Sequence, residues 1–310
     1  MNELKPINQT KLYGLNNFLE KFIELYKKNK FPNKILLSGL KGTGKSTLAY
    51  HFINYILSHD QEYKYNLGEA EINLENQSYK TVLNGSNPNF YSIDIDLEKK
   101  FIDINQIRAL ISNLSKSSFN KKPRFVLIDN IEFLNKSSVN ALLKTLEEPS
   151  FNIYFILIHN NKKILPTLLS RCINFKISLS NKEILIIADK LLDSKLEKFV
   201  NKDLINYYIT PGNIYNLVFF GINNEYDLVN VDLKDFLNAI IENKHYKKEY
   251  LINFMIFDFI EFYFNKINST FSTKISNKYT YFLKRISDTK RFNLDEESLF
   301  LEFKNVILNG

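Results

Sequence analysis

Cysteine is almost absent from this chain of 310 residues. Cys172 stands alone, and one thiol can neither close an intrachain disulfide nor build a multi-cysteine zinc site. Glycine is scarce as well, with nine in the whole chain, so any place where several crowd together is a place where backbone freedom is needed. Tryptophan is missing, yet 26 Phe and 18 Tyr in a sequence that is 45% apolar supply ample core material and argue against disorder. No long apolar run is free of charge: the most apolar stretch, "LINFMIFDFIEFYF" (251–264), carries Asp258 and Glu261 inside it. The N-terminal "MNELKPINQTKLYG" has no apolar h-region. A cytoplasmic, soluble protein with no membrane partner is expected. The length allows two or three domains. The formal charge of +7 suits a polyanionic partner without requiring one.

Against that glycine-poor background, "GLKGTGKST" (39–47) packs three glycines into six positions and follows them with a lysine and two hydroxyl residues. Gly39-x-x-x-x-Gly44-Lys45-Ser46 fits the P-loop pattern in full. The short apolar run "KILLSG" (34–39) precedes it, and "STLAYHFINYIL" follows with helical spacing through Leu48, Phe52, Tyr55 and Ile56. Strand, loop and helix in that order are what the motif needs. Glycines let backbone N–H groups curl around phosphates, Lys45 would reach the β and γ oxygens, and Ser46 would hold Mg²⁺. A second apolar run, "RFVLID" (124–129), ends in Asp129, where a P-loop protein places the acid that supports the metal. A third, "IYFILIHN" (153–160), ends in polar residues, and "SSVNALLKTLEE" between them reads as a helix stopped by Pro149. Strands separated by helices imply a parallel sheet whose ligands sit at the carboxyl ends of the strands. After about residue 178 the strand signal fades. A small helical region follows, then the polar stretch "INNEYDLVNVDL" (222–233), then an aromatic-rich helical tail.

The run "LIDNIEFLNKSSVNALLKTLEEPSFNIYFILIHNNKKILPTLLSRC" (127–172) closely resembles the bacterial DNA polymerase III clamp-loader ATPases, the delta-prime and gamma/tau subunits. "NALLKTLEEP" and "SRC" are highly characteristic of that family, and the resemblance extends through "LYGLNN", the P-loop and "IDINQIRAL" (102–110). It implies an α/β P-loop AAA+ module with a RecA-like parallel sheet (1–178), a helical lid (179–228) and an all-α collar for oligomerisation (229–310). It also implies ATP or ADP with Mg²⁺ bound by Gly39, Gly42, Thr43, Gly44, Lys45, Ser46, Thr47 and Asp129. The implied partners are the other clamp-loader subunits, gamma/tau and delta, in a hetero-oligomeric ring, together with the sliding clamp and primer-template DNA threaded through the ring.

Carried over position by position, the family's roles find both matches and departures. Lys45, Ser46 and Asp129 match. The residue after the Walker B aspartate, a water-polarising glutamate in active members, is Asn130, and an amide cannot act as a general base. Glu132, two residues further on, would point elsewhere on a chain leaving a strand, unless a loop bends it back. Asn160 aligns with the sensor that touches the γ-phosphate, with His159 the alternative. The lid arginine of active members has no counterpart: Arg108, Arg124, Arg171, Arg285 and Arg291 are all the arginines present, and Tyr215 stands about where it would be. Arg171 of "SRC" matches the arginine that the family projects in trans onto a neighbour's nucleotide; the bland alternative is an arginine that caps a helix or pairs with a carboxylate. Cys172 reads as a small buried residue, since no activating base surrounds it. The stretch 58–90, where many members carry a four-cysteine zinc module, has no cysteine, so no zinc is expected. The reading that follows is a delta-prime-type subunit that hydrolyses nucleotide poorly, with an active gamma/tau-type ATPase as the alternative.

Overall fold

The computed structural model describes residues 4–95, 101–117, 120–147, 152–160, 166–205, 209–267, 273–292 and 294–309. They fall into two compact units, one of Glu3–Lys190 with Thr210–Gly212, the other of Leu191–Ile209 with Asn213–Gly310.

The first unit is built on five parallel strands, β1 (Lys34–Ser38), β2 (Phe90–Ile93), β3 (Arg124–Ile128), β4 (Ile153–His159) and β5 (Ile173–Lys176), in the spatial order β2-β3-β4-β1-β5. This is the α/β P-loop arrangement expected, with two strands more than the apolar runs indicated. Its helices are α1 (Asn16–Lys27), α2 (Lys45–Leu57), α3 (Gln77–Leu83), α4 (Ile104–Leu114), α5 (Lys136–Glu147), α6 (Pro166–Leu169) and α7 (Asn181–Leu191), whose last residue falls in the other unit. The expected helix stop at Pro149 lies outside the described residues.

Strand periodicity divides the core between the two faces of the sheet. Ile35 and Leu37 of β1, Phe125 and Leu127 of β3, and Ile156 and Ile158 of β4 pack with Leu19 and Phe22 of α1 and with Leu48 and Phe52 of α2. The alternate residues, Leu36, Val126, Ile128, Phe155 and Leu157, face Ile107, Leu110 and Leu114 of α4 and Val139, Leu142 and Leu146 of α5. Burial of both faces explains why β1, β3 and β4 read as unbroken apolar runs. Helix α4 begins on a capping box, with Asp103 and Gln106 each satisfying the other's backbone N–H.

The regular structure among the described residues of the second unit is helical. It holds α8 (Pro211–Asn223, less its first two residues), α9 (Leu233–Glu242), α10 (His245–Lys248), α11 (Tyr250–Ile267), α12 (Thr273–Phe292) and α13 (Glu296–Phe303). Phe236, Leu237, Ile240 and Ile241 line the buried face of α9 at helical spacing. Phe264, Phe282 and Phe303 from α11, α12 and α13 form a ring-to-ring triangle with centroids 5.6–5.8 Å apart. No helix among the described residues is long and apolar enough to cross a membrane.

Candidate functional site

The loop from β1 to α2 turns through backbone angles that side chains resist. Gly39 has φ +152°, and a Cβ there would lie 2.2 Å from the carbonyl oxygen of Ile177, on the chain leaving β5. Gly44 has φ +87° and sits at the N-cap of α2, so the first turn of that helix opens directly onto the loop. The leading N–H groups of a helix have no intrahelical acceptor, which suits such an end to an anion. Thr43 is buried and its hydroxyl donates to the Leu40 carbonyl at 3.0 Å; Thr47 is half-buried in the first turn of α2.

Lys45 is 3% exposed. Its ammonium donates to the carbonyls of Gly39 (3.0 Å) and Leu40 (2.6 Å). Burial pulls its pKa down to about 8, against the opposing pull of Asp129 and Glu132. A buried ammonium with mostly neutral partners is one that an anion would stabilise. Thr210 Oγ1 donates to the Lys41 carbonyl at 2.8 Å and the Gly212 N–H to the Gly42 carbonyl at 3.0 Å, so a short Thr-Pro-Gly segment clasps the outer side of the loop. Motif reading missed this clasp, because its partners are main-chain carbonyls that no residue type marks.

Across the carboxyl edge of the sheet, the ends of β2, β3 and β4 are tied together by side chains. Ser46 Oγ donates a short hydrogen bond to Asp129 Oδ2. The Asn130 backbone N–H donates to Asp129 Oδ1 at 2.7 Å. Burial, with the neighbouring Asp94 charge second, pushes the Asp129 carboxyl up to about 6, and the Ser46 bond offsets only part of that. Beyond it runs a chain of amides: Asn160 Nδ2 donates to Asn130 Oδ1 at 2.8 Å, and Asn130 Nδ2 donates to Asp94 Oδ1 at 2.7 Å. Asn160 is therefore the member of the His159/Asn160 pair that joins the chain; His159 is buried as the last residue of β4. Nothing in the sequence marks Asp94, because β2 before it is four residues long with only its two ends buried.

Asn130 adopts the left-handed conformation (φ 53°, ψ 45°), which asparagine tolerates better than most residues. The chain consequently folds into a single 3₁₀ turn at Ile131–Phe133. Glu132 does not leave the site as an extended chain would carry it. It is bent back, and its Oε2 accepts from the Asn160 backbone N–H at 3.4 Å.

A hydroxyl beside a carboxylate whose ionisation is opposed by burial and by a second acid is a donor set suited to a hard divalent cation with oxygen ligands. Ser46 and Asp129 fit Mg²⁺ in that sense. Among the described residues no cluster of three or more His, Cys, Asp or Glu side chains could hold a metal by itself.

Arg171 lies apart from this assembly. Its Nε and Nη2 donate to Glu147 Oε1 at 3.1 and 2.6 Å, and Nη1 donates to the Thr167 carbonyl at 3.1 Å. The pair is partly exposed, so it is worth at most about 1 kcal/mol. Burial pushes the Cys172 thiol up to about 11, which makes it inert as a nucleophile at neutral pH. Tyr215 is buried in α8, within the helical unit.

The sequence profile described as DNA polymerase III, delta subunit, matches residues 14–181. A DNA polymerase III subunit delta' from Yersinia pestis is 31% identical over 139 residues, 44% of this chain and 39% of that protein. A DNA polymerase III subunit gamma/tau from Mycoplasma genitalium is 29% identical over 206 residues, 65% of this chain and 32% of that protein. These alignments span about a third to two fifths of the relatives' length. Among solved structures, a DNA polymerase III gamma subunit-related protein from Thermotoga maritima aligns over 94% of this chain and 96% of its own, at 16% identity and a TM-score of 0.45.

Proposed function

The chain belongs to the DNA polymerase III, delta subunit, family, and from that premise we propose that it is a delta-prime-type subunit of a clamp loader, one that binds nucleotide, turns it over slowly and completes a neighbour's active site. The loop 39–47 and the N-terminus of α2 would wrap the phosphates of ATP or ADP. Lys45 would exchange its two loop carbonyls for phosphate oxygens. Ser46 and Asp129 would hold Mg²⁺, which when bound neutralises charge on the β and γ oxygens. Asn160 would sense the γ-phosphate from the end of β4.

The observation that carries the slow-turnover part is the state of Asn130. Its side chain is neutral, and it is hydrogen-bonded at both ends, to Asn160 and to Asp94. Such a group cannot take a proton from water, and its two hydrogen bonds hold it between Asn160 and Asp94. Arg171 would act outside its own chain. The partly exposed Glu147 pair is weak enough to open when a neighbouring subunit presents a phosphate, which binds a guanidinium more strongly than one screened carboxylate does. In this proposal residues 1–178 form the nucleotide-binding module, 179–228 the lid and 229–310 the collar. The ring so assembled opens the sliding clamp and places it on primed DNA.

The test is a ring reconstituted with a gamma-type partner. Arg171→Ala should leave this subunit folded and assembled while lowering the ring's clamp- and DNA-stimulated ATPase by about 10³-fold or more at the affected site. Full turnover in that ring would refute the trans role. The second reading, an active gamma/tau-type ATPase, is favoured by the longer alignment to the gamma/tau relative. Fast turnover by the isolated chain would select it.

A further inference from the structure

The position that should supply a carboxylate to the attacking water holds an amide, yet a carboxylate stands three residues from Asp129 at the same edge of the sheet. The left-handed Asn130 turns the chain so that Glu132 comes back over the end of β4. The turn that carries it is held firmly. Ile131 is 2% exposed in the core beneath, and the Ile102 N–H donates to the Phe133 carbonyl at 2.9 Å. One oxygen of Glu132 accepts from the Asn160 N–H, next to the side chain that reaches Asn130. The other, Oε1, is buried and has no hydrogen-bond partner among the described residues. A buried carboxylate oxygen without a donor is a place for a donor to come, and water is the smallest one available. Glu132 also acts electrostatically on the Lys45 ammonium, the group that faces the terminal phosphate in the proposed complex. Its charge therefore reaches the phosphate loop, whereas the neutral Asn130 side chain is held between Asp94 and Asn160.

We propose that Glu132 is the catalytic carboxylate of this chain's own nucleotide site, orienting a water through its unpartnered Oε1 for attack on the γ-phosphate. The inference rests on the nucleotide-binding reading above and names what carries its slow turnover. As the water oxygen bonds to the γ-phosphorus, the bond from that phosphorus to the β,γ-bridging oxygen breaks and its electron pair stays on ADP. The water proton passes to Glu132, which returns it to the released phosphate. Asn130 is then a strut that fixes Asn160 and Asp94, not a weakened catalyst.

Two measurements on the full-length chain separate the inference from its premise: affinity for a fluorescent ATP analogue with Mg²⁺, and phosphate release in a single turnover with protein in excess over ATP. Wild type should bind and release phosphate slowly. Glu132→Gln, which keeps shape and packing, should bind within about twofold of wild type and release phosphate at least about a hundredfold more slowly, the lower range for loss of a general base. Glu132→Asp, which keeps the charge on a shorter arm, should recover part of the rate. Equal rates in Glu132→Gln and wild type, or a wild type that binds and never turns over, would overturn the assignment. A wild type that fails to bind the analogue would remove the nucleotide reading, and this inference with it.

Discussion

Replacing Gly212 with alanine tests whether the Thr-Pro-Gly clasp holds the phosphate loop in shape. Gly212 has an ordinary backbone conformation in the first turn of α8, so by propensity alone alanine should stabilise by up to about 1 kcal/mol. Contact geometry opposes that gain. The new Cβ would lie 2.9 Å from Gly42 Cα and 3.0 Å from Gly42 O, both main-chain atoms with no rotamer to escape into. Relieving such overlap costs about 1–3 kcal/mol, and separating the segments also stretches the 3.0 Å Gly212-to-Gly42 hydrogen bond, a further ~0.5–1.5 kcal/mol. Clash outweighs propensity. Nucleotide binding must restore the loop against that strain, so a net ~1–3 kcal/mol should appear as an affinity for fluorescent ATP analogue about 5- to 150-fold weaker. Thr210→Val, which removes the 2.8 Å bond to the Lys41 carbonyl, should weaken binding less, by about tenfold at most. The assay is a titration with Mg²⁺ present, paired with urea denaturation to establish folding. A Gly212→Ala protein that binds like wild type would refute the clasp as an element of the site.

Two further outcomes are expected. His51, buried in α2, donates from Nε2 to the Gln9 carbonyl at 3.0 Å, which leaves Nδ1 to accept from the Tyr65 hydroxyl at 2.8 Å, and burial pulls its pKa from 6.5 to about 4. Between those values the unfolded chain takes up a proton that the folded chain refuses, so stability is intact above pH 6.5 and falls by up to about 3 kcal/mol as pH drops toward 4. His51→Gln should flatten that part of the profile in urea titrations from pH 7.5 to 4.5, and an unchanged slope would sink the assignment. Glu147→Gln, which takes away the carboxylate that holds Arg171, should alter stability by less than about 0.5 kcal/mol. In the reconstituted ring it should leave turnover unchanged or raise it a few-fold, and a loss comparable to that of Arg171→Ala would mean the pair itself is the active form.

How far the sequence could be read followed the wetness of each strand. Strands β1, β3 and β4 lie inside the sheet and bury both faces, so each appears as an apolar run closed by glycine or polar residues, and Gly39, Asp129 and Asn160 could be assigned to one edge. The outer strands differ. In β2, "FYSI" buries its two ends and leaves Ser92 exposed, and in β5 "INFK" has no buried residue at all. Half-wet strands of four residues carry too little apolar signal to separate from loop. Without β2 there is no place for Asp94, which follows it and supplies both the negative charge neighbouring Asp129 and the acceptor for Asn130.

The fate of Glu132 turned on one dihedral angle. Had Asn130 continued in extended conformation, side chains would alternate and the chain would run off the end of β3, carrying the carboxylate away from Lys45. A left-handed residue reverses that course within one turn, and asparagine is among the few side chains that accept it at modest cost. An asparagine at position 130 thus permits the turn that brings a carboxylate back at position 132. The sequence shows only an amide at position 130, because residue identity does not carry the sign of φ. The two effects separate in Asn130→Ala. Alanine pays about 1–2 kcal/mol more for the left-handed angle and cannot bridge Asn160 to Asp94, so the turn at Ile131–Phe133 should loosen and phosphate release should fall even though no charge has been lost. If release in Asn130→Ala stayed at the wild-type rate, Glu132 would not need this turn to do its work, and the link drawn between the two residues would be wrong.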